Sequence, residues 1–131
     1  MSKKLEKKNN FKVVIAGSRG FSNYKLLTEK CNSILREKKK EANIIVISGH
    51  AKGADTLGEK YAKDNDFDLE IYPAEWKKFG KAAGFRRNEK MAEIADAVIA
   101  FWDGKSNGTR HMIDISKEKG LDVRVIEYGK V

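Results

Sequence analysis

Three glycine-bearing loops hold residues whose types and spacing suit the capture of an anion. Gly17-Ser18-Arg19-Gly20, Ser48-Gly49-His50-Ala51-Lys52-Gly53-Ala54-Asp55 and Asp103-Gly104-Lys105-Ser106-Asn107-Gly108-Thr109 each follow an apolar run and precede a segment with helical spacing. Glycine lets backbone approach a phosphate closely. Free N–H groups at a helix start, with the helix dipole, attract negative charge. Six of the eleven glycines fall in these loops. None of the loops spells G-x-G-x-x-G or G-x-x-x-x-G-K-[ST]. One such loop is often only a turn, but three at the same edge of a sheet point to an anion site.

A fourth segment adds other chemistry. Trp76, in Pro73-Ala74-Glu75-Trp76-Lys77-Lys78-Phe79-Gly80, is placed either to stack on a nucleobase or to close as a lid on the following helix. Arg86 and Arg87 then open that helix, and paired guanidiniums can fork onto a phosphate or carboxylate. Arg87 shares a stripe with Met91, Ile94 and Ala95. A charge on an apolar stripe needs a partner, which ranks it above Arg86 as a ligand contact. His50 and His111 are isolated, and hydrogen-bonded or solvated imidazoles are expected there rather than metal ligands.

These loops must be positioned by an alternation of strands and helices. Phe11–Ala16, Asn43–Ser48, Asp68–Pro73, Asp96–Trp102 and Asp122–Glu127 predict strands, three of them nearly continuous apolar runs of the kind covered on both faces. Four segments of helical length lie between them. The first sets Leu27, Cys31, Ile34 and Leu35 on one stripe. Gly120 stands where a left-handed C-cap ends the fourth. Right-handed βαβ units then give a five-stranded parallel sheet of expected order 3-2-1-4-5 between two helical layers. Ligands of such sheets sit beyond the strand carboxyl ends where the winding reverses, here between strands 1 and 4.

Composition sets the frame. The 131 residues suit one domain, expected over residues 11–131, preceded by a disordered basic tail over residues 1–10. The net charge is +8, of which Lys3, Lys4, Lys7 and Lys8 against Glu6 contribute +3 and leave +5. Arg36 and Lys38 to Lys40 cluster at a predicted helix end, where cations are favoured by the dipole. Basic surfaces attract polyanions irrespective of sequence, so nucleic acid stays open as a partner. No apolar run reaches the ~18 residues of a membrane span, and the N-terminus lacks a secretory core, so the cytoplasm is the expected compartment. The lone Cys31 has no partner for a disulfide or a zinc site and is expected in the core.

The motifs G-S-R-x-F, S-G-x-A-x-G-A-D, E-W…G-K-x-A-G-x-x-R-N-x-x-M and D-G-x-S-x-G-T, in this order over residues 11–127, resemble the SLOG superfamily. The small stand-alone branch related to YspA and YpsA is the nearest in pattern. The resemblance implies a Rossmann-like fold and a pocket for a nucleotide-derived ligand. The superfamily includes LOG phosphoribohydrolases, the single-strand DNA-binding protein DprA, and sensors of NAD-derived signals such as cyclic ADP-ribose in anti-phage systems. Fold alone does not choose among these. Against the LOG pattern P-G-G-x-G-T-x-x-E, Gly108 and Thr109 match, the proline and second glycine do not, and the glutamate position is Met112. Arg87, four residues before Met91, corresponds to the LOG arginine. Methionine neither accepts a proton nor stabilises a ribosyl cation, so LOG-type hydrolysis is not expected.

The sequence therefore favours a binding module for a nucleoside monophosphate, ADP-ribose or cyclic ADP-ribose type of molecule, for sensing or sequestration. Phage–host defence signalling is an analogy-based setting for it. The expected ligand-binding residues are Gly17, Ser18, Arg19, Gly49, Ala51, Gly53, Asp55, Trp76, Arg87, Asn88, Gly104, Ser106, Gly108 and Thr109. Within that set, Gly17, Ser18, Gly49, Gly108 and Thr109 would donate to phosphate, Asp55 would take a ribose hydroxyl, and Trp76 would face the base. No cofactor and no metal are expected. The resemblance also implies a homodimer or larger homo-oligomer, since small chains gain core by association. The alternatives are a LOG-like hydrolase, with Arg87 acting, and DprA-like binding of single-stranded nucleic acid.

Overall fold

The computed structural model describes residues 9–129. Its elements run β1 (Asn9–Gly17), α1 (Tyr24–Leu35), α2 (Lys38–Glu41), β2 (Ala42–Ser48), α3 (Ala54–Asp64), β3 (Asp68–Ile71), α4 (Trp76–Phe79), a 3-10 turn (Gly80–Ala82), α5 (Ala83–Ile94), β4 (Ala97–Trp102), α6 (Asn107–Glu118) and β5 (Asp122–Glu127). The strands form one parallel sheet of order β3-β2-β1-β4-β5, as the sequence predicts.

The period of two along β1 builds both faces of the core. Val13 and Ile15 pack with Leu27, Cys31 and Leu35 of α1 and Tyr61 and Ala62 of α3. Val14 and Ala16 point the other way, onto Met91 and Ala92 of α5 and Met112 and Ile113 of α6. Cys31 is wholly buried, and burial pushes its thiol up to about 12. Nucleophilic chemistry at that sulfur is therefore suppressed.

Five strand boundaries differ from expectation by one or two residues. Asn9 and Asn10 open β1, paired with Ala42 and Asn43, so the expected disordered tail is wrong for those two residues. The tail's other residues, 1–8, lie outside the described ones. β3 stops at Ile71 rather than Pro73. Tyr72 still donates to the Ser48 carbonyl at 2.8 Å, but Pro73 has no N–H with which to continue the ladder. Asp96 precedes β4, exchanging hydrogen bonds with Lys12: its N–H to the Lys12 carbonyl at 2.7 Å and its Oδ2 from the Lys12 N–H at 2.9 Å. The lysine cluster makes its own turn, α2, laced by Lys38–Glu41 and Lys40–Glu37 pairs.

Candidate functional site

A cleft of about 400 Å³ opens at the carboxyl ends of β1 and β4, where the winding reverses. Of the expected residues, Gly17, Ser18, Arg19, Ala51, Asp55, Trp76, Arg87, Asn88, Ser106, Gly108 and Thr109 line it. Gly49, Gly53 and Gly104 do not, and each has another task. A side chain on Gly49 would begin 2.6 Å from Arg87 Nη1 and 2.8 Å from Asp55 Oδ2, so its glycine makes room for that pair. Gly53, with φ +81°, presses against the carbonyls of Ser18 and Arg19 and locks the β1 loop to the start of α3. Gly104, with φ +83°, turns the loop after β4.

That loop is built around Asp103. Its Oδ1 accepts from the N–H groups of Lys105 and Ser106, both at 2.8 Å. The backbone bonds from Ser106 and then Lys105 hold the carboxyl down at about 2. Ser18 Oγ accepts from the Asp103 N–H at 3.0 Å and lies 2.8 Å from Ser106 Oγ, which ties the first glycine loop to the third. Trp102 Nε1 donates to the Ser106 carbonyl at 3.1 Å and pins the far side. The Ser106 hydroxyl is occupied by Ser18 and Asp103 and does not cap α6. The N–H groups of Gly108 and Thr109 have no carbonyl one turn back, and both residues line the cleft. A side chain at Gly108 would begin in open space, with nothing within 4 Å.

The opposite wall is cationic. Arg87 donates from Nη1 to the Gly49 carbonyl and from Nε to Asn88 Oδ1 at 3.1 Å. Burial lowers its pKa, while Asp55 opposes that shift. Asn88 spends its amide inside the protein: Nδ2 donates to the Gly108 carbonyl at 3.1 Å and lies 3.2 Å from His111 Nδ1. It thus joins Arg87, the start of α6 and His111, acting as a brace rather than as a free donor. Arg86 goes elsewhere, over the Phe79 ring at 4.6 Å, in a second groove that also takes Glu75. Asp55 is almost fully buried and accepts from the Ala51 N–H at 3.1 Å. Burial pushes its carboxyl up to about 6, against the Ala51 bond and the charges of Arg87 and Arg19. Met112 closes the floor as a core residue.

Sequence reasoning missed Phe85, Lys81, Gly84 and Asp103 as cleft residues. Phe85 lies against His111, ring centroids 4.3 Å apart. The one available signal was spacing, since Gly84, Asn88 and Met91 share a helical face and Phe85 borders it. His50, in the left-handed region at φ +62°, places Nδ1 2.8 Å from Oε2 of buried Glu59, which also accepts from Ser48 Oγ at 2.7 Å. Both histidines are thus hydrogen-bonded. Among the described residues no group of three His, Cys, Asp or Glu is arranged to hold a metal.

Comparison with known proteins agrees with this geometry. Residues 11–79 match the family described as YAcAr, the YspA, cpYpsA-related SLOG family, and the chain belongs to it. It is similar to the Gene 61 protein of Mycobacterium phage D29, 35% identical over 92 residues that cover 66% of this chain and 72% of that protein. Among solved structures it is similar to DNA processing protein A (DprA) from Streptococcus pneumoniae. The TM-score is 0.66 at 22% identity, over 94% of this chain and 52% of DprA, so the chain spans about half of that protein's length. It is also similar to TM1055, with a TM-score of 0.63 at 19% identity over 86% of this chain and 72% of the other. At these identities the two structures establish the Rossmann-like fold alone.

Proposed function

We propose that the chain is a binding module for a nucleotide-derived, phosphate-bearing ligand of the nucleoside monophosphate or ADP-ribose type. The observation that carries this reading is the pairing, across one cleft, of unoccupied α6 amides at Gly108 and Thr109 with the half-buried guanidinium of Arg87. Phosphate satisfies both, and Arg19 adds a second charge. Met112, at the position of the LOG glutamate, leaves the cleft without that acid and favours capture over cleavage. A setting between phage and host is part of this proposal by analogy, and a similar chain is encoded by Mycobacterium phage D29.

Thermal melting with AMP and ADP-ribose tests the reading. Ligand at about a hundred times its dissociation constant stabilises the wild type by ~2.7 kcal/mol. Gly108→Val, whose Cβ would begin in open space, crowds the start of α6 and is expected to remove the shift. Arg87→Ala removes a charge-assisted contact of ~1.5–3 kcal/mol, roughly ten- to a hundredfold in affinity. A shift that survives both substitutions refutes the reading.

One observation favours a second reading. Asp55 is a buried carboxyl on the cleft wall that titrates at about 6, the range of a general acid or base. Chromatography of AMP after long incubation separates the two: free adenine in excess over protein establishes hydrolysis, and intact AMP together with the melting shift establishes capture.

A further inference from the structure

Resting on the phosphate assignment above, we propose that Trp76 and Phe85 form a base-recognising rim. This narrows the ligand to molecules with an aromatic ring about one ribose away from their phosphate. Among the described residues the exposed large apolar side chains are Ile71, Trp76, Phe85 and Val125. Ile71 and Val125 lie on the edge strands β3 and β5. The two aromatics, 53% and 47% exposed, both line the cleft.

Trp76 lies over Gly84, its Cη2 3.8 Å from the point where a side chain there would begin, an ordinary contact distance. Phe85 rests on His111, whose imidazole lies beside the Asn88 amide. Asn88 also holds the Gly108 carbonyl, so one buried amide sets both the aromatic surface and the phosphate amides. His111 follows Gly108 by three residues, ~4.5 Å along the helix axis. The one cleft therefore offers both amides with a guanidinium and exposed aromatic carbon, the two chemistries that a nucleotide presents. Ring stacking tolerates any base and contributes roughly five- to a hundredfold in affinity.

Calorimetry on the full chain with AMP, GMP, UMP, ADP-ribose and ribose 5-phosphate tests the rim. At least one ring-bearing probe is expected to bind five- to a hundredfold tighter than ribose 5-phosphate. Trp76→Ala and Phe85→Leu, both at exposed sites, are expected to collapse that ratio toward one, and Trp76→Phe to keep most of it. Equal affinities in the wild type, or a ratio unmoved by Trp76→Ala and Phe85→Leu, overturn the rim and leave the phosphate assignment standing. Failure of all five probes to bind overturns both.

Discussion

At Asp55, burial and two neighbouring guanidiniums pull one carboxyl in opposite directions, and burial prevails. Its pKa moves from 3.8 to about 6, so between those values the folded chain binds more protons than the unfolded chain. Stability from this group therefore declines as pH rises from about 4 to 6, and the full penalty, roughly 3 kcal/mol, is present above that. Asp55→Asn keeps an acceptor for the Ala51 N–H and removes the charge. The variant is expected to melt above the wild type at pH 8 and to converge with it near pH 4. A melting difference that does not change with pH contradicts this account. Asp103 runs the other way. Held down at about 2 by backbone N–H donors, its contribution is complete above its ordinary range and fades only as pH falls toward 2. The two aspartates of the site thus have opposite pH behaviour, set by what surrounds each carboxyl.

Among the loops and helices, what was legible in the sequence is what is local. β-branched runs marked the strands, glycines marked the loops, and the alternation gave the sheet order. Arg87 was legible because a charge on an apolar stripe demands partners, and it finds Gly49, Asn88 and Asp55. Phe85 was not, because its place depends on how α5 packs against α6, which no single segment encodes. Asn88 was found but its role was not, since its partners lie 20 and 23 residues away. Glycine spacing also failed to separate loop-locking positions from ligand-facing ones. The structure separates them: Gly53 needs φ +81° and presses on two carbonyls, whereas Gly108 faces open space. Gly53→Ala is expected to cost more than ~2 kcal/mol and to loosen Ser18 and Arg19. Gly108→Ala is expected to fold as the wild type does. Chemical denaturation of the two variants measures both, and equal stabilities would show that the β1 loop does not depend on the glycine.

For the whole molecule, net charge and size bear on partners. An excess of +8 gives any polyanion a general attraction, so nucleic acid is the partner to test against. Binding that rests on phosphate backbones weakens steeply with salt, whereas a shielded cleft with one phosphate does so only mildly. We expect AMP affinity to change by less than tenfold between 50 and 200 mM salt, and any oligonucleotide affinity to fall by several orders of magnitude for a contact of six or more phosphates. A steep loss for AMP as well would mean that the cations outside the cleft, not those inside it, hold the ligand. We also propose a homodimer or larger assembly, which a monomer in sedimentation at tens of micromolar would exclude.

The winding reversal has one more consequence. The cleft is lined by two separate stretches of chain, Gly17 to Asp55 and Trp76 to Thr109, with Pro73 in the connection between them. Neither stretch alone presents both the arginine of the first loop and the amides of α6. On the proposed reading, ligand capture during synthesis therefore waits until α6 has emerged and β4 has docked beside β1. A chain divided in the Pro73–Trp76 segment would hold half a receptor in each piece, and the small molecule would then serve as the glue between them.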